Sequence, residues 1–396
     1  MERLKLPERV GMAGLYAALD ADAGHVRLVG GAVRDTVLGI PVADIDLATD
    51  LAPEDVLKRL RAAGIKAVPT GLAHGTITAV LPEGPIEVTT LRRDVATDGR
   101  HATVAFTGDW REDAARRDFT INALYADPLT GEMFDYFGGR DDLAARRVRF
   151  IGDPLQRIAE DYLRILRFFR FHARFGAVVD AEGLAACAAR ANDLMALSRE
   201  RIAAELLKLV VAPGAVPTLA LMIDQGIFLP VLPEIADAAR IATLAEREAE
   251  ASIAPAPIRR LAALLPPDPA IADDVGARLK LSKNDRRRLV SAATPASAEP
   301  SQTLAYALGT DLAIDRLLLS DRPVADAEAI VGWQAPRLPL GGGALVERGV
   351  KKGPEVAKLL REIESAWVAE GFPAEPRVTQ LADAAVDQWR RFSSNA

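Results

Sequence analysis

Strand-forming signals stop early in this chain, and that asymmetry limits its possible folds more than any other feature. Short runs rich in β-branched residues, at 25–29, 44–50, 76–81, 86–90 and 120–125, fall within the first third of the 396 residues. Between them, residues 53–63 read as a helix, with Pro53 in the first turn and Gly64 just past the end. From Ala159 onward the sequence predicts helices at 159–174, 200–211, 257–265 and 355–370, separated by Pro- and Gly-containing turns. Residues 292–302, AATPASAEPSQ, read as an exposed loop. The pattern predicts an α+β protein. A head with a small mixed β-sheet flanked by helices comes first, then an all-helical remainder, with the boundary near 137–155.

Composition narrows the class. A single cysteine, Cys187, excludes an internal disulfide framework and a multi-cysteine zinc site, and suits a reducing cytoplasm. The charged N-terminus lacks the apolar core of a signal peptide, and the apolar stretch at 209–223 is interrupted by Pro213, Gly214 and Pro217. The expectation is a soluble cytoplasmic protein with no membrane contact, and no protein partner is evident. The net charge of −6 does not by itself suggest a nucleic-acid binder, but the charge is uneven. Arg146, Arg147, Arg149, Arg157, Arg164, Arg167, Arg170 and Arg174 face only Asp153, Glu160 and Asp161. Such a stripe either tracks a phosphate backbone or is a solvated helix face.

The strongest local signal is LVGGAVRDTVLGIPVADIDLATD, residues 28–50. A strand ends at Gly30-Gly31 and a helix begins almost at once, so the backbone can approach a phosphate and the helix N-terminus offers free N–H groups. Asp44 and Asp46 follow, two apart on a strand. Both carboxylates then face one spot while Ile45 enters the core. Paired carboxylates repel unless a cation lies between them, and hard oxygen ligands select Mg²⁺, which shares its shell with substrate phosphates. Gly-Gly beside such a pair is a layout for two-metal nucleotidyl transfer. Glu87, on the predicted strand 86–90, is a candidate third carboxylate for the same metals or an exposed edge-strand acid.

GGAVRD followed by DIDLAT resembles the first motif of the class II tRNA nucleotidyltransferases and bacterial poly(A) polymerases, in the DNA polymerase beta superfamily. The resemblance continues through RRDFTINAL at 116–124, GGRDDLAARRVRFIGDP at 138–154, EDYLRILRFFRF at 160–171 and SRERIAAELLK at 198–208. It implies that Asp44 and Asp46 bind catalytic Mg²⁺ and that Arg34 and Asp35 help hold the incoming nucleotide. Arg117, Asp118 and Asn122 would contact its ribose and phosphates, and an amide such as Asn122 can hydrogen-bond a ribose hydroxyl. The chain then divides into a catalytic head (1–140), a helical neck with the base-recognition helix (141–215) and a body and tail that grip tRNA (216–396).

Base choice can be argued from chemistry. On one helix, Asp161 and Arg164 share a face. Cytosine and adenine each offer an amine donor beside an unprotonated ring nitrogen, which a carboxylate and a guanidinium can read together. Uracil and guanine present the opposite pattern. The same two residues match the amino-acid template that the resemblance implies, and Glu160, four before Arg164, would orient its guanidinium. The alternative for the pair is an ordinary intrahelical salt bridge.

Between these motifs, Arg93, Asp94, Asp98 and Arg100 fit the flexible loop that the family needs to switch from C to A addition, with Ala102 where proline is common. The expected activity is therefore CCA addition to the tRNA 3′ end from CTP and ATP. An A-adding enzyme or a poly(A) polymerase is the alternative, and a non-enzymatic RNA-binding protein on the same fold would have no need of these side chains. The runs at 279–289 and 349–360 are candidate phosphate contacts or plain surface. His25, His74, His101 and His172 form no metal-type motif, and Phe168, Phe169, Phe171 and Phe175 have core spacing.

Overall fold

The computed structural model describes residues 3–97 and 102–393. Its strands are β1 (Val26–Val29), β2 (Asp46–Thr49), β3 (Lys66–Gly71), β4 (Thr76–Leu81), β5 (Gly84–Thr90), β6 (Arg92–Thr97), β7 (Ala102–Phe106), β8 (Leu124–Ala126) and β9 (Met133–Asp135). Seven of them form one sheet in the order β3-β4-β5-β2-β1-β8-β9, and β6 and β7 form a separate hairpin. In the larger sheet β2 and β5 run parallel, and every other pairing is antiparallel. Two-residue periodicity fixes which faces are buried. Ile86 and Val88 are inside while Pro85 and Glu87 are exposed, and Ile45 and Leu47 are inside while Asp44 and Asp46 are not.

The strand expected at 120–125 is a correction. Thr120–Asn122 form a 3₁₀ turn, and the strand is the shorter β8 that follows. Here local hydrogen bonds outweigh β-propensity: Asn122 N donates to Phe119 O at 2.9 Å, Ala123 N to Thr120 O at 3.1 Å, and Thr120 Oγ1 to Asp142 at 2.6 Å. Strands β3, β6, β7 and β9 carry weak sequence signals. β3 (KAVPTG) holds a proline and lies at the sheet edge, mostly exposed, where alternation is not enforced.

The expected helix at 159–174 is also corrected. The chain makes two helices, Pro154–Glu160 and Leu163–Phe175, because Asp161 is extended (φ −153°, ψ 107°). Its carboxylate accepts the Leu163 N–H at 3.1 Å, an Asx turn that leads the chain into the second helix. Asp161 and Arg164 therefore do not share one continuous helix.

The Leu163–Phe175 helix is bolted to the head by aromatic rings. Phe150 stacks on Phe168 (centroids 5.5 Å apart, planes 8° apart), and Phe119 packs on Phe150 at 4.8 Å and on Phe171 at 5.5 Å. On its other side the helix packs against Arg199–Leu209 and Ala215–Asp224. Contacts divide the chain into two compact units, residues 1–238 with 278–281, and 239–277 with 282–396. The described elements of the second unit are helices, from Ala239–Glu250 to Glu375–Ser393. Within it, Arg259 bridges Glu248 and Asp315 in a buried ion network that Arg260 and Arg288 extend. No helix among the described residues is long and apolar enough to cross a membrane.

Phe168 is 1% exposed at the centre of the aromatic junction. Phe168→Ala should destabilise the protein by about 3–5 kcal/mol, read as a shift in the denaturant midpoint. A loss under about 1 kcal/mol would show that the junction does not hold this helix.

Candidate active site

The chain turns sharply where β1 meets the Gly31–Val37 helix. Gly30 has φ +67°, and a β-carbon there would lie 3.5 Å from Asn122 O and 3.6 Å from the Arg117 guanidinium. Only glycine takes that backbone conformation without strain while keeping the wall open. Antiparallel pairing sets Val29 opposite Asp46, which brings this turn beside the acidic pair. Asp44 lies just before β2 and Asp46 opens it. Both line a cleft of about 730 Å³ that also contains Gly30, Gly31, Arg34, Asp35, Arg117, Asp118, Asn122, Asp161 and Arg164. The 3₁₀ turn, the two neck helices and the strand pair thus deliver the sequence-predicted residues to one place.

Two of those residues stand apart. Glu160 is not in the cleft wall but backs it, accepting from Arg164 Nη1 at 2.5 Å. Glu87 is outside the wall as well. It sits one strand over, paired in parallel register with Asp46, and is exposed. Asp98, Gly99, Arg100 and His101 lie outside the described residues, while Arg93 is placed on β6 and Ala102 begins β7. Among the described residues no three His, Cys, Asp or Glu side chains are gathered as a ready metal site.

The cleft is strongly cationic, with nine arginines facing five aspartates. Such an excess suits a triphosphate. Although solvent reaches its side chain, Asp46 is desolvated by the cleft walls around it, which raises its carboxyl above the ordinary value; the charges of Glu87 and Asp44 add to this, and Arg117 opposes it. Asp46 is therefore a carboxylate short of positive partners, in the position where a cation would relieve it.

Most other groups are held by the protein. Arg34 is 5% exposed; its Nη1 donates to Asn122 Oδ1 at 2.5 Å, its Nε to Asp35 Oδ1 at 2.8 Å, and it lies 4.3 Å from the Phe175 ring centroid. Burial pulls its guanidinium below the ordinary value against the pull of Asp35. Asn122 Nδ2 donates to Asp118 Oδ1 at 3.0 Å, and Arg167 Nε donates to Asp118 Oδ2 at 2.7 Å. Burial would raise the Asp118 carboxyl, but Arg167, with hydrogen bonds from Asn122 and Arg167 itself, holds it below the ordinary range. His25, expected to be structural, bonds Asp50 at 2.8 Å away from the cleft wall.

Asp161 and Arg164 have partners that sequence reasoning missed. Arg201 Nη2 donates to both Asp161 oxygens, at 3.0 and 2.8 Å. Arg164 donates to Glu160, to Arg157 O at 2.9 Å and to Arg116 O at 2.9 Å. Arg201 lies within the SRERIAAELLK stretch, so its segment was visible although its contact, 40 residues away in sequence, was not. A second missed group is Asp113, 1% exposed, which accepts from Tyr125 Oη at 2.6 Å and pairs with Arg116 and Arg117. Burial acts to raise its carboxyl, yet Arg117 and Arg116 hold it far below the ordinary range. Its only local sequence signature is the D-x-x-R-R spacing of 113–117, which does not reveal that the acid is buried.

Comparison with known proteins places this geometry. Residues 26–149 match the family described as poly A polymerase head domain, and residues 179–239 match the one described as probable RNA and SrmB- binding site of polymerase A. The mitochondrial CCA tRNA nucleotidyltransferase 1 of Mus musculus is 35% identical over 92% of this chain and 88% of its own length. Its counterpart from Danio rerio is 36% identical over 90% and 86%. The crystal structure of the Bacillus stearothermophilus CCA-adding enzyme in complex with CTP superposes with a TM-score of 0.74 at 26% identity, covering 98% of this chain and all of that one.

Asp113 tests the electrostatic scaffold. Because its folded-state pKa is depressed, its ionised form stabilises the protein above the unfolded carboxylate value of about 4, and that contribution is lost as pH falls below it. Asp113→Asn should therefore cost about 3–5 kcal/mol at neutral pH. The gap to the native protein should shrink as unfolding is measured at progressively more acidic pH. A gap independent of pH would assign the loss to packing.

Proposed function

The chain belongs to the family of CCA-adding tRNA nucleotidyltransferases and poly(A) polymerases, and we propose that it adds CMP and AMP, from CTP and ATP, to the 3′ end of tRNA by two-metal nucleotidyl transfer in the cleft lined by Asp44, Asp46, Asp161 and Arg164. The observation that carries this reading is the hydrogen-bonding capacity left at Asp161 and Arg164. A carboxylate has roughly four acceptor sites. Asp161 spends three of them on Leu163 N and the two Arg201 contacts. A guanidinium has five N–H donors, and Arg164 commits three. What remains, among the described residues, is one acceptor beside two donors. That set complements the amine and the bare ring nitrogen shared by cytosine and adenine, and it opposes the carbonyl and N–H of uracil and guanine. Discrimination of about 1–3 kcal/mol is expected from one such pairing. In this role Arg201 and Glu160 are positioning residues that hold the reading pair.

Asp44 and Asp46 fit a hard divalent cation. They are oxygen donors on the exposed side of the chain where it enters β2, the carboxyl of Asp46 is raised by desolvation in the cleft and by neighbouring acids, and phosphate-binding elements adjoin them. Mg²⁺ is the proposed ion, with Glu87 a further carboxylate for it; when bound it would activate the 3′-hydroxyl and neutralise the departing pyrophosphate. Gly30 and Gly31 let the backbone approach the phosphates. Arg117, fixed by Asp113 and Tyr125, supplies positive charge beside Asp46. Arg34, Asp35, Asp118 and Asn122 form the bonded platform beneath the ribose and phosphates. On the same reading, residues 1–140 catalyse, 141–215 read the base, and 216–396 grip the tRNA by the shape and backbone of its A-form stem. A cytoplasmic location completes the proposal, and cell fractionation would check it, since several relatives are mitochondrial by name.

The direct test supplies tRNA lacking its 3′ CCA, with Mg²⁺ and CTP, ATP or both. Two added nucleotides with CTP and three with both are expected. ATP added only to tRNA ending in CC would make it an A-adding enzyme, and long A tails on any RNA a poly(A) polymerase. Asp46→Asn should reduce kcat by at least about a thousandfold while leaving tRNA affinity unchanged; retained turnover would remove Asp46 from the metal site. Asp161→Ala should narrow the preference for CTP over UTP by roughly 10- to 100-fold. Unchanged rejection of UTP would sink the base-reading assignment.

A further inference from the structure

At the opposite end of the Leu163–Phe175 helix from Asp161, a second cavity of about 560 Å³ opens, and it shares Arg170 and Arg174 with the catalytic cleft. Four cations line it, drawn from three parts of the fold. Arg170 and Arg174 come from that helix, Lys208 from the Arg199–Leu209 helix, and Arg146 from the turn after the Gly139–Ala144 helix. No acidic side chain belongs to its wall among the described residues, whereas the catalytic cleft has five aspartates. Arg170 is paired behind the wall with Glu205, and Arg174 lies 3.4 Å from Asp35. Arg146 and Lys208 are exposed and have no ion-pair partner among the described residues.

Arg170 and Arg174 are offset by acids from behind, but Arg146 and Lys208 add charge to the same wall with no acid beside them, a gathering that an anion would relieve. Arg146 is held there by its backbone. It has φ +49°, a left-handed conformation that side chains rarely adopt, and its carbonyl accepts from Ala177 N at 2.8 Å and Val178 N at 3.3 Å. The floor is apolar, with half-buried Phe175 beside Leu38 and Ile40. Cations over an apolar and aromatic floor match a phosphate attached to a sugar or base. A wall without carboxylates offers no site for a cation, so the phosphate would arrive without bound metal.

We propose that this cavity is a second phosphate-binding subsite, continuous with the catalytic cleft and serving a phosphate that carries no catalytic metal. Two sources have that chemistry, the backbone of the single-stranded RNA end and the departing pyrophosphate, and the apolar floor favours the RNA. The assignment of a phosphate source rests on the transfer reading of the adjoining cleft, but affinity measured without CTP or ATP does not depend on it. If the native protein fails to extend tRNA, the transfer reading fails. If it extends tRNA and the variants below behave like it, only the subsite fails.

The test uses the full chain with Arg146→Ala and Lys208→Ala combined. A charge-matched control combines Lys58→Ala and Arg61→Ala on the exposed face of the Pro53–Ala62 helix. Affinity for tRNA lacking CCA is measured across a salt series, and inhibition of CMP addition by inorganic pyrophosphate is measured alongside. The expected result is a tRNA Kd raised about tenfold, with the log–log salt slope reduced by about 1–2. The melting temperature and the KM for CTP should stay unchanged, because neither side chain has an internal ion pair to lose. Pyrophosphate inhibition weakened several-fold at unchanged tRNA affinity would keep the subsite and assign it to pyrophosphate. Both quantities within twofold of the native protein, or changed equally in the control, would overturn the proposal.

Discussion

The Leu163–Phe175 helix is where the two halves of the site are made to agree. One stripe of it, Ile165, Leu166, Phe168 and Phe169, is buried, and through Phe168 it joins the aromatic cluster of Phe119 and Phe150. The other stripe is arginine at three- and four-residue spacing, each tied to an acid from a different element: Arg164 to Glu160, Arg167 to Asp118, Arg170 to Glu205 and Arg174 to Asp35. Ring packing sets the depth of the helix, and the ion pairs set its rotation. A shift of one residue would move arginines into the aromatic core, so the two stripes specify a single register. Because the arginines also line the cleft, the interactions that dock the helix are the ones that shape the site.

That arrangement explains how an acidic chain can present a cationic cleft. The net charge of −6 is an average over the whole surface, whereas nine arginines converge at one place. Bringing them together would be strongly unfavourable if each were bare. Asp113, Asp118 and Asp35 are buried at 1%, 7% and 6% exposure, and they offset the repulsion from behind without filling the space in front. Held below the ordinary carboxylate range, Asp113 and Asp118 stay ionised throughout neutral pH, so the support does not fluctuate. Asp46 is the counter-example, its carboxyl raised by desolvation in the cleft and further by the charges of Glu87 and Asp44. The same cleft thus contains carboxylates already paired with arginine and two, Asp44 and Asp46, with no ion pair among the described residues.

How far the sequence revealed this depended on the range of each interaction. Gly30-Gly31, the Asp44–Asp46 alternation and the switch from mixed to helical structure were legible because they follow from neighbours within a few residues. The break at Asp161 was missed because apolar periodicity continues across it, with Ile158 on one side and Leu163 and Ile165 on the other. An aspartate ahead of a helical run also favours an Asx turn, so the information was present but outweighed. The strand expected at 120–125 failed for a different reason: β-branched composition does not reveal that Thr120 bonds Asp142 and that the backbone closes a tight turn. Arg201 and Asp113 were invisible as site residues, since their roles come from partners brought together by the fold.

The break at Asp161 also changes how base selection must work on the proposed reading. Two residues on one helix would make a rigid couple whose spacing is set by helix geometry alone. Here the acid sits on the extended link, with its orientation fixed by Arg201 on one side and the Leu163 N–H on the other. The arginine is on the helix, fixed by Glu160 and two carbonyls. Each is immobilised by its own partners, so little side-chain entropy remains to be lost when a base arrives. The committed contacts also leave a defined remainder of one acceptor and two donors. A protein surface with more free groups could adapt to any base by rotating them. Specificity without a template therefore depends as much on the bonds that Asp161 and Arg164 have already made as on those they keep available.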